Sequence, residues 1–589
     1  MTLNLGPESE DEKNARALLL LRRTNPQHHK RDIENEKGGV LEGSCDWVFK
    51  NNTFHTWWTT QGSHLLWING DPGKGKTMIA LAAISEIERR KTTQQGPESF
   101  ALRSRLRRCM SAPFFFKNEA PALFARRNYL RPYISAFFFF RNEVTAVSNA
   151  VSALQGLIFL LVDQKEELIR HVRKRMDLQQ NTLFQGSEPF HVLEDILSDI
   201  ARDPECPEIY LVVDALDECL EQKLELLSLI ANSPKRLVSK VKWLVTSRNE
   251  KPIQEALQTG SPKAIISLEL NADNIKAAVA LYINAKVDEL SRVKGYSRGG
   301  ESLEQDVKEY LKKNSEDTFL WVALVYQELR KLRMAGRTMS VLRKIPAGLR
   351  PLYRRMLEQI IEQGRNDSNC EDDGSRLEDM EHRKLILAFV SVSFRPPSIY
   401  ELGTLAGIPD DLCRPETHIK DLVDSCGSFL KIRNEAVSFV HLSATEFFEK
   451  QEGFDFVAIG SNEAHLAVFR RSCLLMTKLL KQDICCLDSP GVLIQEATSQ
   501  INQHLPRELE YPCRYWIDHL WYAYGSDANK VAADQEAVDI IRGFLERKLL
   551  NWLEALSLQG KIAESLHVVE KLQALSLVSG ADCVMKKVL

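Results

Sequence analysis

The sequence predicts an α/β fold, a parallel and doubly wound sheet followed by a long helical region. Three observations carry the prediction. Five short apolar runs, Leu65 to Ile68, Phe137 to Phe140, Ile209 to Val213, Val241 to Val245 and Ala264 to Leu268, have helical patterns between most of them. Strands under crossover helices read in this way. The first run leads into a glycine-rich loop and then a helical pattern, and from about Asn274 the apolar period becomes helical for most of the remaining chain.

Residues 1–42 are polar and charged apart from a short helical pattern around Ala15 to Leu21, and are expected to form an extension rather than part of a domain. The sheet domain is placed at 43–272. Its first strand runs into Gly70-Asp71-Pro72-Gly73-Lys74-Gly75-Lys76-Thr77, which fits G-x-x-x-x-G-K-[ST], and then into a helical pattern from Met78 to Arg90. Strand, glycine loop and helix in that order turn a motif match into a phosphate-binding prediction. The glycines let the backbone curl with its N–H groups inward, and the helix N-terminus adds a favourable dipole. Lys76 is expected to reach the β- and γ-phosphates, and the Thr77 hydroxyl to ligate Mg²⁺. The expected class is therefore an α/β P-loop NTPase; an ordinary glycine-rich turn before a helix is the alternative that the flanking sequence disfavours.

The stretch Ser111 to Glu119 is nearly repeated by Ser135 to Glu143. Two short copies cannot stack as a solenoid. The second copy, followed by an amphipathic pattern from Val144 to Leu161, is assigned to the sheet, and residues 91–135 are expected to be an insertion. Its basic run, Arg103, Arg105, Arg107 and Arg108, is better explained as a solvated loop than as a nucleic-acid contact.

Ile209-Tyr210-Leu211-Val212-Val213-Asp214 is an apolar strand ending in a carboxylate, continued by Ala215-Leu216-Asp217-Glu218. A P-loop site needs an acid to hold Mg²⁺ and often a second to orient the attacking water. Asp214 is expected in the metal shell, on a strand neighbouring that of the P-loop, with Glu218 and Asp217 as candidates for water activation. A simple helix cap is the bland alternative for Asp214. A further strand, Lys242 to Ser247, leads to Arg248, and Thr246 or Arg248 is expected near the γ-phosphate.

Beyond the sheet, residues 273–363 read as a helical domain and the polar, acidic 364–382 as a linker. Within 383–455, short helices precede Phe429-Leu430-Lys431-Ile432 and Val437-Ser438-Phe439-Val440, two runs around the turn-like Arg433-Asn434-Glu435. Helices plus a hairpin describe a winged-helix-like domain. Residues 456–589 read as an α-helical C-terminal region.

A net charge of −3 gives no global argument for nucleic acid or membrane affinity. The 12 cysteines are scattered without C-x-x-C pairs, which suits reduced thiols. The N-terminus lacks the basic and apolar regions of a signal peptide, no apolar run is long enough to span a bilayer, and the expected location is cytoplasmic.

Gly70 to Thr77, Leu211-Val212-Val213-Asp214-Ala215-Leu216-Asp217-Glu218-Cys219 and Trp243-Leu244-Val245-Thr246-Ser247-Arg248 together resemble the NACHT family of STAND NTPases, especially the fungal NOD-like receptors linked to heterokaryon incompatibility. Lys37-Gly38-Gly39-Val40-Leu41, Cys45 to Val48, Thr318 to Val322, Phe439 to Ala444, Tyr515 to Leu520 and Trp552 to Ser557 extend the resemblance along the chain. It implies a switch that binds ATP (or GTP) and ADP with Mg²⁺ and hydrolyses slowly. The diphosphate state would be closed, and triphosphate would release the winged helix and favour homo- or hetero-oligomers that engage a protein effector. By motif position, His441 is the candidate for the winged-helix histidine that touches the β-phosphate of ADP, although a lone histidine after a strand is more often a satisfied core residue. Such receptors usually also carry an N-terminal effector domain and C-terminal repeats, which are not visible in this sequence. A constitutive P-loop ATPase and a non-catalytic interaction protein remain the other two readings.

Overall fold

Val241-Lys242-Trp243-Leu244-Val245-Thr246-Ser247 is buried at every position, which a strand achieves only with strands on either side and helices over both faces. The computed structural model describes residues 10–22, 25–60, 64–94, 133–141, 147–178, 189–233, 237, 240–258, 264–294, 301–332, 334–366, 373–409, 412–413, 416–449, 460–487, 491–492 and 494–579. The chain divides into two compact units, 1–343 and 344–589.

The first unit is built on β1 (Leu65–Asn69), β2 (Tyr133–Phe139), β3 (Glu208–Asp214), β4 (Val241–Ser247) and β5 (Ala264–Ser267). All pairings are parallel, in the order β2-β3-β4-β1-β5. All five expected strands are present, and the second copy of the repeated stretch supplies β2. One neighbour differs from expectation: β4 separates the acid-tipped β3 from β1, with Leu65 opposite Trp243 and Val213 opposite Val245. Both contacts hold the carboxyl ends of β1, β3 and β4 on one edge. Burial of charge inside this sheet is offset locally. Lys242, 2% exposed, donates to the carbonyls of Trp57 (2.9 Å) and Trp58 (2.8 Å) at the end of helix Asn52–Thr59, where a cation meets the negative pole.

Helix Ala150–Gln164 is apolar nearly all round and is almost wholly buried. At Gly156 its backbone comes so close to its neighbours that an added Cβ would lie 2.8 Å from Pro26 and 3.1 Å from Phe138. Pro26 opens a helix in the segment expected to be a polar extension, and that expectation is corrected here. Helices Glu10–Leu21 and Pro26–Lys37 bury Ala17, Leu21, Pro26 and Ile33 and pack on the sheet domain. Arg141, just past β2, pairs with Glu36 at 2.9 Å. The helix after the P-loop runs to Gln94 and β2 begins at Tyr133, so regular elements take both ends of the 91–135 segment. Arg103, Arg105, Arg107, Arg108 and the first copy of the repeat lie outside the described residues. Helices Ala272–Lys294, Glu301–Asn314 and Phe319–Lys331 follow β5.

Helix Leu349–Asn366, expected to end the helical domain, falls in the second unit. The stretch read as a linker is helical at both ends, in Leu349–Asn366 and Asp373–Val392; residues 367–372 lie outside the described residues. Helices Asp373–Val392, Ile399–Ala406 and Glu416–Ser425 precede a hairpin of β6 (Leu430–Arg433) and β7 (Ala436–Phe439). Its two-residue turn, Asn434-Glu435, has φ of 47° and 66°, the left-handed pair that matches strand twist. The helices after residue 460 enclose a core that includes Phe469, Trp516, Phe544 and Trp552.

A polar chain is buried in this unit. Tyr511 Oη accepts from the Phe394 N–H at 3.0 Å and lies 2.8 Å from His519 Nε2. His519 Nδ1 lies 2.8 Å from His465 Nδ1, so in the neutral state these two nitrogens share one proton. Burial pushes His465 down to about 4, and burial together with the His465 charge depresses His519 further. Among the described residues, no helix is long and apolar enough to cross a membrane.

Candidate functional site

The P-loop begins where β1 ends. The Gly70 N–H reaches the Ser247 carbonyl of β4 at 3.3 Å, and a Cβ on Gly70 would fall 2.9 Å from Leu268. Gly73 and Gly75 have φ of 77° and 88°, which other residues adopt only with strain. These two positions fold the loop back over the start of helix Lys76–Gln94. Asp71 N–H is held by Glu269 Oε1 at 2.7 Å. Lys76 Nζ donates to the carbonyls of Gly70 (2.5 Å) and Asp71 (2.9 Å). Desolvation lowers its affinity for a proton, opposed first by the charge of Asp217.

Asp214 closes the other side. Its carboxyl is 2% exposed, accepts from Thr246 Oγ1 at 2.5 Å and is hydrogen-bonded by the Thr77 hydroxyl. Desolvation holds it above the usual carboxylate range, against the hydrogen bond from Thr246, the charge of Lys37 and the hydrogen bond from Thr77. A carboxyl in that state is stabilised as an anion by an incoming cation. The next residue, Ala215, is in the left-handed region at φ 55°, with its N–H held by Thr246 Oγ1 at 3.0 Å. This turn carries the chain into Leu216-Asp217-Glu218.

Arg248, at the exit of β4, is tied to Asp217 twice. Its Nε lies 3.1 Å from Asp217 Oδ2 and its backbone N–H donates to Oδ1 at 3.1 Å. Asp217 therefore fixes Arg248 near the loop. Glu218 is half-buried, with its N–H on the Ala215 carbonyl at 2.8 Å. His441 belongs to the second unit. Its Nδ1 accepts from the Ser443 N–H at 3.1 Å, which leaves Nε2 as the protonated nitrogen.

A third set of groups braces the loop from the helical part of the first unit. Phe319 N–H donates to the Gly73 carbonyl at 3.0 Å, and Lys74 Nζ donates to the carbonyls of Glu316 (2.9 Å) and Asp317 (3.3 Å). An added Cβ would lie 2.7 Å from the Thr318 methyl at Gly73 and 2.9 Å from the Phe319 ring at Gly75. The two glycines thus serve close packing as well as curvature. Glu316 and Asp317 both have left-handed φ, 48° and 55°, a strained turn held by its bonds to the loop.

Over 577 residues the chain is 36% identical to the vegetative incompatibility protein HET-E-1 of Podospora anserina, across 96% of this chain and 38% of that protein. This chain is a NACHT-type STAND NTPase. It spans well under half of that relative's length. The family model described as nephrocystin 3, N-terminal, matches residues 43–248, ending on Arg248. Among solved structures it is similar to the Walker-type ATPase PABY2304 of Pyrococcus abyssi, with TM-score 0.27 and 11% identity, covering 69% of this chain and 95% of that one. It is also similar to the Drosophila ORC bound to DNA, with TM-score 0.25 and 13% identity over 76% and 94% of the two chains. At those scores the local geometry says more about the site than either likeness.

The residues of this NACHT-type site fit a magnesium nucleotide. Among the described residues Lys76 has only loop carbonyls as hydrogen-bond partners, Asn69 Oδ1 is buried at the loop's entrance without a partner, and burial holds Asp214 above the usual carboxylate range. Among the described residues no three His, Cys, Asp or Glu side chains converge to hold a metal by themselves. The fold brings Lys76, Thr77, Asp214, Asp217, Thr246 and Arg248 together. Sequence reasoning gave no role to Glu269, to the Glu316–Phe319 brace, or to Lys37. For Lys37 a signal existed: Asn25-Pro26 and Lys37-Gly38 are a cap with proline at the first helical position and a glycine stop.

Proposed function

We propose that this chain is a nucleotide-operated signalling switch, which binds ATP (or GTP) with Mg²⁺, hydrolyses it slowly and changes its assembly with the nucleotide bound. The observation that supports this best is the meeting of Lys76, Thr77 and Asp214 at the carboxyl edge of a parallel sheet, where such sheets bind ligands. Gly70, Asp71, Pro72, Gly73, Lys74 and Gly75 wrap the phosphates, and Lys76 exchanges its loop carbonyls for phosphate oxygens. Thr77 and Asp214 hold the Mg²⁺, which neutralises phosphate charge when bound; Thr246 keeps Asp214 turned inward. Arg248, fixed by Asp217, stands by the terminal phosphate, and the Glu218 carboxylate accepts a proton from the attacking water. His441 Nε2–H is the donor for the β-phosphate of the closed, diphosphate state. The relative's name favours incompatibility signalling, which in our reading runs in the cytoplasm through a protein effector.

Lys76→Ala decides the matter. The purified wild-type chain is expected to retain nucleotide through gel filtration and to gain thermal stability from Mg²⁺ and ADP. The variant is expected to lose both, and tight nucleotide binding by Lys76→Ala overturns the assignment. Steady hydrolysis at about one per second or faster makes the chain a constitutive ATPase instead of a switch.

A further inference from the structure

Helix Pro26–Lys37 stops beside the metal-side carboxylates. Glu36, in its last turn, is paired with Arg141 at 2.9 Å. The residue before Arg141, Phe140, donates its N–H to the Asp214 carbonyl at 3.1 Å. The next side chain, Lys37, is exposed to solvent, and its charge is attracted first by Asp214 and then by Glu218.

The chain then turns on two glycines. Gly38 and Gly39 have φ of 77° and 72°, and both N–H groups bond the Glu34 carbonyl, the latter at 2.7 Å. An added Cβ on Gly38 would lie 3.7 Å from Lys286 Nζ, and one on Gly43 3.9 Å from Leu281. Both neighbours belong to helix Ala272–Lys294, which follows β5. Residues 37–43 therefore form a strap that leads from beside β2 and Asp214 to helix Ala272–Lys294.

Among the other described cations at this edge, Arg141 is paired with Glu36 and Lys74 bonds the 316–317 carbonyls, while Arg248 is held by Asp217 on the β4 side. We propose that Lys37 is a phosphate-binding residue carried by this glycine-hinged strap, its ammonium reaching the terminal phosphate of a bound nucleoside triphosphate and thereby separating triphosphate from diphosphate. This rests on the nucleotide-binding reading above. A dication at Asp214 takes over the charge that Lys37 balances, and the ammonium then faces phosphate oxygens instead of carboxylates.

The test is isothermal titration of the full chain with Mg·ATPγS and Mg·ADP, for wild type, Lys37→Met and Lys37→Arg. Lys37→Met is expected to weaken ATPγS about tenfold or more, as for one charge-assisted contact, and ADP by less than about twofold. Lys37→Arg, which keeps the charge, is expected to stay within about threefold of wild type for both. A Lys37→Met variant that binds both nucleotides like wild type, or loses both equally, overturns the role of Lys37 and leaves the P-loop reading intact. A wild-type chain that binds neither nucleotide overturns both.

Discussion

Asp214 is the residue at which two requirements of the site collide. It must be buried to meet Thr77, yet burial disfavours its charge, and the Thr246 and Thr77 hydroxyls with the Lys37 and Lys76 ammonium groups act against that cost. Asn at this position accepts the same hydroxyl hydrogens without a charge to desolvate. Asp214→Asn is therefore expected to fold at least as stably as wild type, while Mg²⁺ no longer raises its affinity for ADP. Titration of ADP with and without Mg²⁺ checks this, and an unchanged Mg²⁺ effect in the variant removes Asp214 from the metal shell. Arg248 carries a related lesson. A cation after a buried strand was legible as a phosphate contact, but its Asp217 partner was not, because the pair forms only when β3 and β4 lie side by side.

Elements were legible in the sequence where burial is two-sided. Leu65-Leu66-Trp67-Ile68 and Ile209-Tyr210-Leu211-Val212-Val213 announce strands because both faces must be apolar, and the P-loop announces itself by its glycines. Helix Pro26–Lys37 did not, since Pro26 and Ile33 are its only buried residues and so sparse a stripe has no detectable period. The brace at 316–319 was invisible for another reason: its main bonds run through backbone carbonyls and N–H groups, which any side chains could present. The helix Glu510–Ala523 yields a pH prediction. Protonating either His465 or His519 places a charge in a buried ring pair, which burial disfavours. The unfolded chain binds protons at ordinary histidine pH while the folded unit resists until about 4 for His465. Stability is thus complete above about pH 6.5 and lost as pH falls toward 4. From pH 7 to pH 5 the second unit is expected to lose about 2 kcal/mol through His465. Hydrogen exchange in that helix measures it, and His465→Gln is expected to flatten the profile; an equally steep profile in the variant places the effect elsewhere.

At the scale of the molecule, function depends on groups far apart in sequence. The loop at Gly70 to Thr77 donates to Glu269 and to the 316–317 carbonyls and accepts from the Phe319 N–H, so a motion of the helical part is felt at the loop. For the proposed switch, replacing Mg·ADP by Mg·ATPγS is expected to raise the sedimentation coefficient of the wild-type chain and not that of Lys76→Ala. A monomer with both nucleotides argues against assembly as the output. The strand order has one more outcome, during synthesis. β1 pairs only with β4 and β5, and its Trp67 indole meets Ser247, 180 residues later. At about 5–20 residues per second, a ribosome needs on the order of 10–40 s to make that partner. Throughout that interval Leu65-Leu66-Trp67-Ile68 is a greasy, unpaired ribbon outside the exit tunnel, and nascent chains stalled before residue 241 are the ones that chaperones will have to hold.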